Sequence, residues 1–241
     1  MRMRGTSQWG GHDDAIADAA IVAAAHELKS PLALIRQLGL QLDEAVDGQP
    51  DAAVLAAQIV LTSERALRLT TDLTRAERLD ETFFAIEPIN PIALCEEVAH
   101  EFAPLYAARD RQLVVASRRR AQPVLANRDL LRRVLANFAD NALEYGESNE
   151  PITLMTHYLD HGEQVRIGVR DHGPGVDMRD IRALYHGQPS RLARRPASSG
   201  LGLSLAQRFA AAMNGAVGVV RHRDGASFYV QLRGSTQVSW L

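Results

Sequence analysis

The sequence predicts an α+β protein in which an N-terminal antiparallel helical hairpin precedes an α/β sandwich. Apolar residues follow heptad spacing in residues 21–45 and again in residues 55–76, which predicts two consecutive helices. The segment 87–91 (Glu-Pro-Ile-Asn-Pro) then marks a boundary. Beyond it, short period-two stretches and helical stretches do not alternate one for one. That order favours an α+β sandwich over a doubly wound sheet.

The composition is that of a globular protein with one large or two modest domains. The 241 residues are 46% hydrophobic and 23% charged, with a net charge of -2, and show no nucleic-acid signature. Cys95 is the only cysteine, which excludes an intramolecular disulfide and fits a reducing compartment. No apolar run reaches the roughly 20 residues that cross a bilayer, and the N-terminus lacks a secretory signal. We therefore expect no membrane segment within this chain, and a cytoplasmic protein or the intracellular part of a membrane-bound one.

The first helix is predicted at residues 14–46, followed by a turn at 47–50 (Asp-Gly-Gln-Pro) and a second helix. The apolar seams of the two helices are Ile21, Ala24, Leu28, Ile35, Leu38, Leu42 and Ala45, and Leu55, Ile59, Thr62, Ala66, Leu69, Leu73 and Ala76. A hairpin of this kind cannot cover its own apolar stripe. A twofold dimer that closes a four-helix bundle is therefore favoured over a hairpin that folds back on the C-terminal half.

His26 lies in the first helix but off its apolar seam, so its ring is expected to face solvent. Glu27 stands beside the ring and can accept one imidazole proton, which makes the other nitrogen a better nucleophile. Ser30 shares the exposed face one turn later, and Pro31 is expected to bend the helix. His26 is thus a candidate nucleophile, and an ordinary surface histidine remains the alternative.

The second half is predicted to contain three helices and six strands. The helices are expected at 92–108, 129–145 with Asp129 as its cap, and 200–213; the strands at 112–116, 123–126, 152–158, 165–171, 216–221 and 227–232. The turn at 160–162 (Asp-His-Gly) joins two of these strands into a hairpin. An arginine-rich stretch at 187–199 has little pattern and precedes the last helix.

One motif lies on the helix at 129–145, where Asn137 and Asn141 are four residues apart and share a face. Carboxamide oxygens so placed can bind a hard cation such as Mg²⁺. Two polar residues on a solvated helix face are the alternative.

Two glycine motifs follow. Asp171 ends an apolar strand and precedes Gly173 and Gly175, a pattern in which the carboxylate could accept the amine of an adenine. A plain turn explains the same residues. Gly200 and Gly202 stand at the start of a helix, where main-chain amides favour phosphate oxygens.

In this order, the three motifs resemble the N, G1 and G2 boxes of the GHKL ATPases. The N-terminal hairpin, with its run His-Glu-Leu-Lys-Ser-Pro-Leu at 26–32, resembles the dimerisation and phosphoacceptor domain of two-component sensor histidine kinases. The likeness covers roughly residues 14–233. It implies an ATP-binding domain with a Bergerat-type sandwich, a homodimer, and ATP with Mg²⁺ as cofactors.

The resemblance also implies roles for individual residues. Asn141 would hold Mg²⁺, and Asn137 would line the same wall. Tyr145 would flank the adenine and Asp171 would recognise its amine, while Gly173 and Gly175 would shape the base pocket. The residues at the triphosphate would be Gly200, Gly202 and Leu203. His26 would take the γ-phosphoryl group, with Glu27 as base, and pass it to an aspartate of a response regulator. Ser30 stands where relatives carry a residue that positions water, which implies phosphatase activity.

The implied organisation is a disordered lead-in at 1–13, the dimerisation and phosphoacceptor hairpin at 14–82, a hinge at 83–91, the catalytic ATP-binding domain at 92–233 and a C-terminal tail at 234–241.

Two features depart from the family pattern. Glu144 occupies a position that is usually basic, and Leu184 and Tyr185 stand where a phenylalanine-rich box is usual. They suggest an alternative function, a weak or inactive kinase that acts as a dimeric scaffold or phosphatase for a response regulator.

Overall fold

The computed structural model describes residues 28–29, 32–33, 35–42, 50–77, 85–116, 122–146, 150–177 and 201–235. The chain divides into two compact units, Met1–Glu81 and Thr82–Leu241.

In the first unit, residues 35–42 form a helical segment, α1, that packs against the long helix α2 (Pro50–Glu77). Pro50, which the sequence assigned to the turn, is the first residue of α2; proline suits that position because its missing amide hydrogen would have no helical partner. Arg36 Nε donates to Glu64 Oε1 at 2.9 Å. A Cβ on Gly39 would lie 2.9 Å from Val60 Cγ2, so the two helices approach closely at a glycine.

The apolar seam predicted for the two helices is only partly covered within this chain. Ile35, Leu38, Leu42 and Ile59 are 45%, 54%, 41% and 38% exposed. The buried positions of α2 include Ala56, Ser63 and Thr70, which form the neighbouring stripe. Ile35, Leu38, Leu42 and Ile59 therefore form an exposed apolar part of the predicted seam, whereas Ala76, near the end of α2, is buried. None of the described helices is long and apolar enough to cross a lipid bilayer.

The second unit combines a mixed sheet with helices, which confirms the predicted α+β class. The five-stranded sheet has the order β2 (Leu113–Val115), β4 (Ile152–Leu159), β5 (Gln164–Asp171), β7 (Gly225–Arg233) and β6 (Ala216–His222). Only the β2–β4 pair is parallel. The helices are α3 (Pro91–Ala107), α4 (Arg128–Tyr145) and α5 (Leu201–Ala212).

A second, two-stranded sheet pairs β1 (Glu87–Ile89) with β3 (Val124–Ala126). The strand β1 lies inside the segment predicted as a hinge and was missed, because a three-residue stretch with a central proline carries no period-two signal. Proline is tolerated in such a position since a two-stranded sheet consists of edge strands.

Asparagines begin two of the helices. The Asn90 side chain accepts from Ile92 N and Ala93 N, with Pro91 as the first residue of α3. The Asn127 side chain accepts from Leu130 N at 3.1 Å and caps α4. The prediction that Asp129 caps this helix was therefore wrong, because Asp129 already lies in its first turn.

The core lies between the helices and one face of the sheet. Tyr106 is fully buried and donates from its hydroxyl to Ala139 O at 2.8 Å, which joins α3 to α4. Phe138 packs against Phe228 of β7, with the ring centroids 6.2 Å apart. The predicted hairpin turn is confirmed at Asp160–Gly162, between β4 and β5.

Candidate functional site

The residues predicted for the site divide between the described and the undescribed parts of the chain. His26, Glu27, Ser30 and Gly200 lie outside the described residues, as does the arginine-rich stretch at 187–199. Tyr145 is the last residue of α4. The remaining predicted residues can be placed, and they converge on α4, the end of β5 and the start of α5.

The first motif forms a polar wall on α4. Asn137 is only 6% exposed, and its Nδ2 donates to Arg133 O at 3.1 Å. This bond fixes the orientation of the carboxamide and leaves Oδ1 as the acceptor on the opposite side. Asn141 lies one turn further along α4 and is half-buried.

The third motif meets this wall at Gly202. A Cβ at Gly202 would lie 3.0 Å from Asn137 Oδ1, so α5 begins directly against the carboxamide. A side chain at this position would crowd the Asn137 oxygen. The structure therefore brings the first and third motifs together, although Asn137 and Gly202 are 65 positions apart in the sequence.

The second motif places Asp171 at the end of β5, only 8% exposed. Its Oδ1 accepts a hydrogen bond from Ala226 N at 3.1 Å. Burial raises the pKa of the Asp171 carboxyl above its usual 3.8, while the Ala226 amide and the nearby Arg170, His172 and His222 oppose that rise. A carboxylate at a buried strand end is suited to accept hydrogen bonds from a ligand amine.

The glycines after Asp171 shape the chain that follows. Gly175 has φ +72°, in the left-handed region that favours glycine, and a Cβ there would lie 3.3 Å from Gly225 O. Gly173 lies in a bend two residues earlier. Val176 then enters a buried cluster with Val219 and Ala226.

Leu203 packs against this same cluster. The start of α5 is therefore joined to the segment after β5 by an apolar contact, and all three motifs belong to one region of the fold. Leu203 was predicted to lie at a cofactor, and the structure shows it packed beside the second motif.

Glu144, which departs from the family pattern, is paired with a cation. Arg109 Nη1 lies 3.2 Å from Glu144 Oε2 and donates also to Leu143 O at 3.4 Å. Arg109 comes from the turn after α3. Its guanidinium offsets the negative charge that the sequence places at the end of α4.

A polar cluster beside the second motif was missed by sequence reasoning. Glu150, His172 and Asp224 bring one ligand atom each within 4.8 Å of one another, a geometry that could hold a metal ion. His172 Nδ1 is 2.9 Å from Asp224 Oδ2 and 3.1 Å from Glu150 Oε2. Arg170 Nη2 lies 2.6 Å from the other Asp224 oxygen. The polar groups of this cluster thus contact one another, and no local motif joins its members.

The second unit is thus an α+β sandwich in which an asparagine wall, a buried aspartate at a strand end and a glycine at the start of a helix lie in one region. Residues 126–236 match the family described as histidine kinase-, DNA gyrase B-, and HSP90-like ATPase. These residues form a domain of that ATPase family, and the chain is a relative of sensor histidine kinases.

Similar proteins support this assignment along most of the chain. The chain is 26% identical over 228 residues to the adaptive-response sensory kinase SasA of Synechocystis sp., covering 89% of this chain and 58% of the relative. It is 30% identical over 223 residues to the sensor protein SphS of Synechococcus elongatus, covering 86% and 52%. The chain thus spans about half the length of these two relatives.

Among solved structures, full-length ShkA in complex with AMPPNP is similar with a TM-score of 0.65 and 25% identity, covering 93% of this chain and 47% of that one. The histidine kinase AdeS of Acinetobacter baumannii has a TM-score of 0.54 at 18% identity and covers 88% and 98%. The second likeness concerns the fold alone.

Proposed function

We propose that this chain is the kinase part of a two-component sensor histidine kinase. It would autophosphorylate on His26 with ATP and then pass the phosphoryl group to an aspartate of a response regulator. The observation that carries the proposal is the buried Asp171 carboxylate, held by a main-chain amide, in a domain of an ATP-binding family. The complex of the similar ShkA with AMPPNP, an ATP analogue, supports ATP as the nucleotide.

In the nucleotide site, the Asp171 carboxylate accepts a hydrogen bond from the adenine amine. Gly173 and Gly175 allow the main chain to lie close to the base, with Tyr145 beside it. Gly200, Gly202 and Leu203 lie at the triphosphate, where helix-terminal amides favour phosphate oxygens.

The polar wall of α4 fits a hard cation. The Asn137 carboxamide is buried and its nitrogen is bonded to Arg133 O, so an oxygen remains to face the site. We propose Asn141 as the residue that holds Mg²⁺, with Asn137 beside it, since oxygen donors suit this ion. When bound, Mg²⁺ neutralises phosphate charge during transfer.

In the transfer step, Glu27 accepts the proton of one imidazole nitrogen of His26 while the other nitrogen attacks the γ-phosphorus. A nitrogen–phosphorus bond forms, the bond from the γ-phosphorus to the bridging oxygen breaks, and ADP leaves. The phosphoryl group then passes to a carboxylate of the receiver domain. Ser30 would position the water molecule that dephosphorylates the response regulator.

The exposed stripe of Ile35, Leu38, Leu42 and Ile59 supports a homodimer through the helical hairpin. A four-helix bundle would remove these side chains from water. The alternative of an inactive scaffold rested on Glu144 and on the missing phenylalanine-rich box at Leu184 and Tyr185. The pairing of Glu144 with Arg109 weakens the first of these reasons.

Incubation of the protein with radiolabelled ATP and Mg²⁺ tests the proposal. We expect an acid-labile, base-stable phosphate that His26→Gln abolishes. His100→Gln is the matched control, because His100 is an exposed histidine on α3 and has no proposed part in the reaction. Label that survives in the His26→Gln protein would overturn the assignment of the acceptor, and an absence of label in the unaltered protein would favour the scaffold.

A further inference from the structure

The turn between β6 and β7 reaches the segment around Asp171 through several independent contacts. Asp224 lies in this turn, with one carboxylate oxygen 2.6 Å from Arg170 Nη2 and the other 2.9 Å from His172 Nδ1. Arg170 and His172 are the residues immediately before and after Asp171. A single side chain therefore fastens both chain neighbours of Asp171 to the turn.

The main chain at the start of β7, directly after the turn, makes a second set of contacts. Ala226 N donates to Asp171 Oδ1 at 3.1 Å, and Arg170 donates to the carbonyl oxygens of Asp171 and Ala226. Gly225 lies between these partners with φ +142°, and a Cβ there would be 2.2 Å from Asp171 O. Only a glycine allows the turn to approach this closely.

The Asp224 side chain itself is 61% exposed and belongs to the rim of this cluster. Its pKa is lowered, first by the hydrogen bond with His172, so it stays ionised near neutral pH. Glu150 Oε2 also lies 3.1 Å from His172 Nδ1. The two acceptors share one ring nitrogen, and Asp224 is the one that also holds Arg170.

We propose that Asp224 and Gly225 form a clamp that positions the Asp171 carboxylate for the adenine amine, and that the clamp thereby sets the preference for adenine over guanine. The inference rests on the proposed role of Asp171 in nucleotide binding. Asp224 acts through Asp171 and is a positioning residue. Guanine presents a carbonyl oxygen where adenine presents its amine, so a well-placed carboxylate attracts one base and repels the other.

Calorimetric titration of the full chain with ATP and with GTP, in the presence of Mg²⁺, tests the clamp. Asp224→Asn should weaken ATP binding by about tenfold, the effect expected for one charged hydrogen-bond contact, and leave GTP binding within about twofold. Gly225→Ala disturbs the same contact through the size of the added methyl group, without a change of charge. It should also lower the ratio of ATP affinity to GTP affinity.

Asp160→Asn is the matched control. Asp160 is an exposed aspartate in the β4–β5 turn, at the opposite end of β5 from Asp171, and its replacement should leave both affinities unchanged. The hydrogen-exchange rate of the Ala226 amide gives a second readout without nucleotide. It should rise in Asp224→Asn and stay unchanged in Asp160→Asn.

The outcomes separate the clamp from the proposed function. An unaltered protein that binds neither nucleotide, or binds both equally, would refute adenine recognition by Asp171. An unaltered protein that prefers ATP, with Asp224→Asn retaining that preference and Ala226 protection, would refute only the clamp. Equal weakening of ATP and GTP binding would also refute it, since it would indicate a general loss of structure.

Discussion

At the scale of single residues, Asp171 shows how a motif acquires its properties from its surroundings. The sequence places a carboxylate before two glycines at a strand end. The fold then buries this carboxylate and gives it one main-chain donor, Ala226 N. Burial disfavours the charged form, so an ionised Asp171, which the proposed contact with an adenine amine requires, costs folding stability.

Asp171→Asn should therefore abolish ATP binding and yet raise the thermal stability of the nucleotide-free protein near neutral pH. Because the folded pKa of Asp171 lies above the unfolded value of 3.8, the folded state binds its proton more tightly. Stability from this group is full below the unfolded pKa and is lost as pH rises through the folded pKa. Asparagine keeps an oxygen for the Ala226 amide and avoids that loss.

Thermal unfolding followed by circular dichroism, compared across pH, checks this expectation. The stabilisation by Asp171→Asn should shrink as the pH is lowered toward 3.8, and Asp160→Asn should show no such trend. A variant that is less stable than the unaltered protein at every pH would contradict the proposed cost of the buried charge.

At the scale of elements, the helical hairpin shows two neighbouring faces on α2. Heptad spacing identified the apolar seam, in which Ile35, Leu38, Leu42 and Ile59 remain exposed. Where the other face of α2 meets α1, Val60 of α2 lies against Gly39 of α1, whose missing side chain leaves room for it. A glycine within a helix carries no hydrophobic signal, so the periodicity did not indicate this contact.

Gly39→Ala should lower the free energy of unfolding by about 1 kcal/mol, because the added Cβ meets the stiff Val60 side chain at 2.9 Å. In a Val60→Ala background the 2.9 Å contact is removed and Ile59 Cγ2 at 3.1 Å remains, so the same change should cost less, because alanine has a higher helix propensity than glycine by about 1 kcal/mol. Urea unfolding of the four proteins of this double-mutant cycle measures the difference. Equal effects in both backgrounds would contradict the close approach.

At the scale of the whole molecule, the exposed part of the apolar seam is not covered by other residues of the same chain. Leu38 is the most exposed member of the stripe, and a dimer would bury it together with Ile35 and Leu42. Burial of such side chains contributes roughly 1.5–3 kcal/mol each relative to exposure. An association of this kind would build the four-helix bundle that the heptads predict.

Leu38→Asp should convert the proposed dimer to a monomer, because a charged side chain would lie in the apolar interface. Size-exclusion chromatography with light scattering measures the change. Gln41→Asp introduces the same charge at an exposed polar position of α1 and should leave the dimer intact. An unaltered protein that is monomeric over the accessible concentration range would contradict the dimer.

The sequence predicted most elements of the second unit to within one or two residues. The strands β4 and β5 and the helices α4 and α5 have strong periodicities that local patterns reveal. The failures occurred where the local signal was short or ambiguous. Strand β1 holds only three residues, and the observed cap Asn127 lies two residues before the predicted cap Asp129.

By itself, the sequence determined the α+β class, the three motifs and the heptad seam, because each depends on residues close together in the chain. Only the tertiary structure decided how these parts work together. The pairing of Asp224 with Arg170 and His172 joins residues 54 and 52 positions apart, and that of Glu144 with Arg109 joins residues 35 apart. No spacing rule predicts such contacts, since they arise only when the sheet and the helices pack and bring distant turns to one edge.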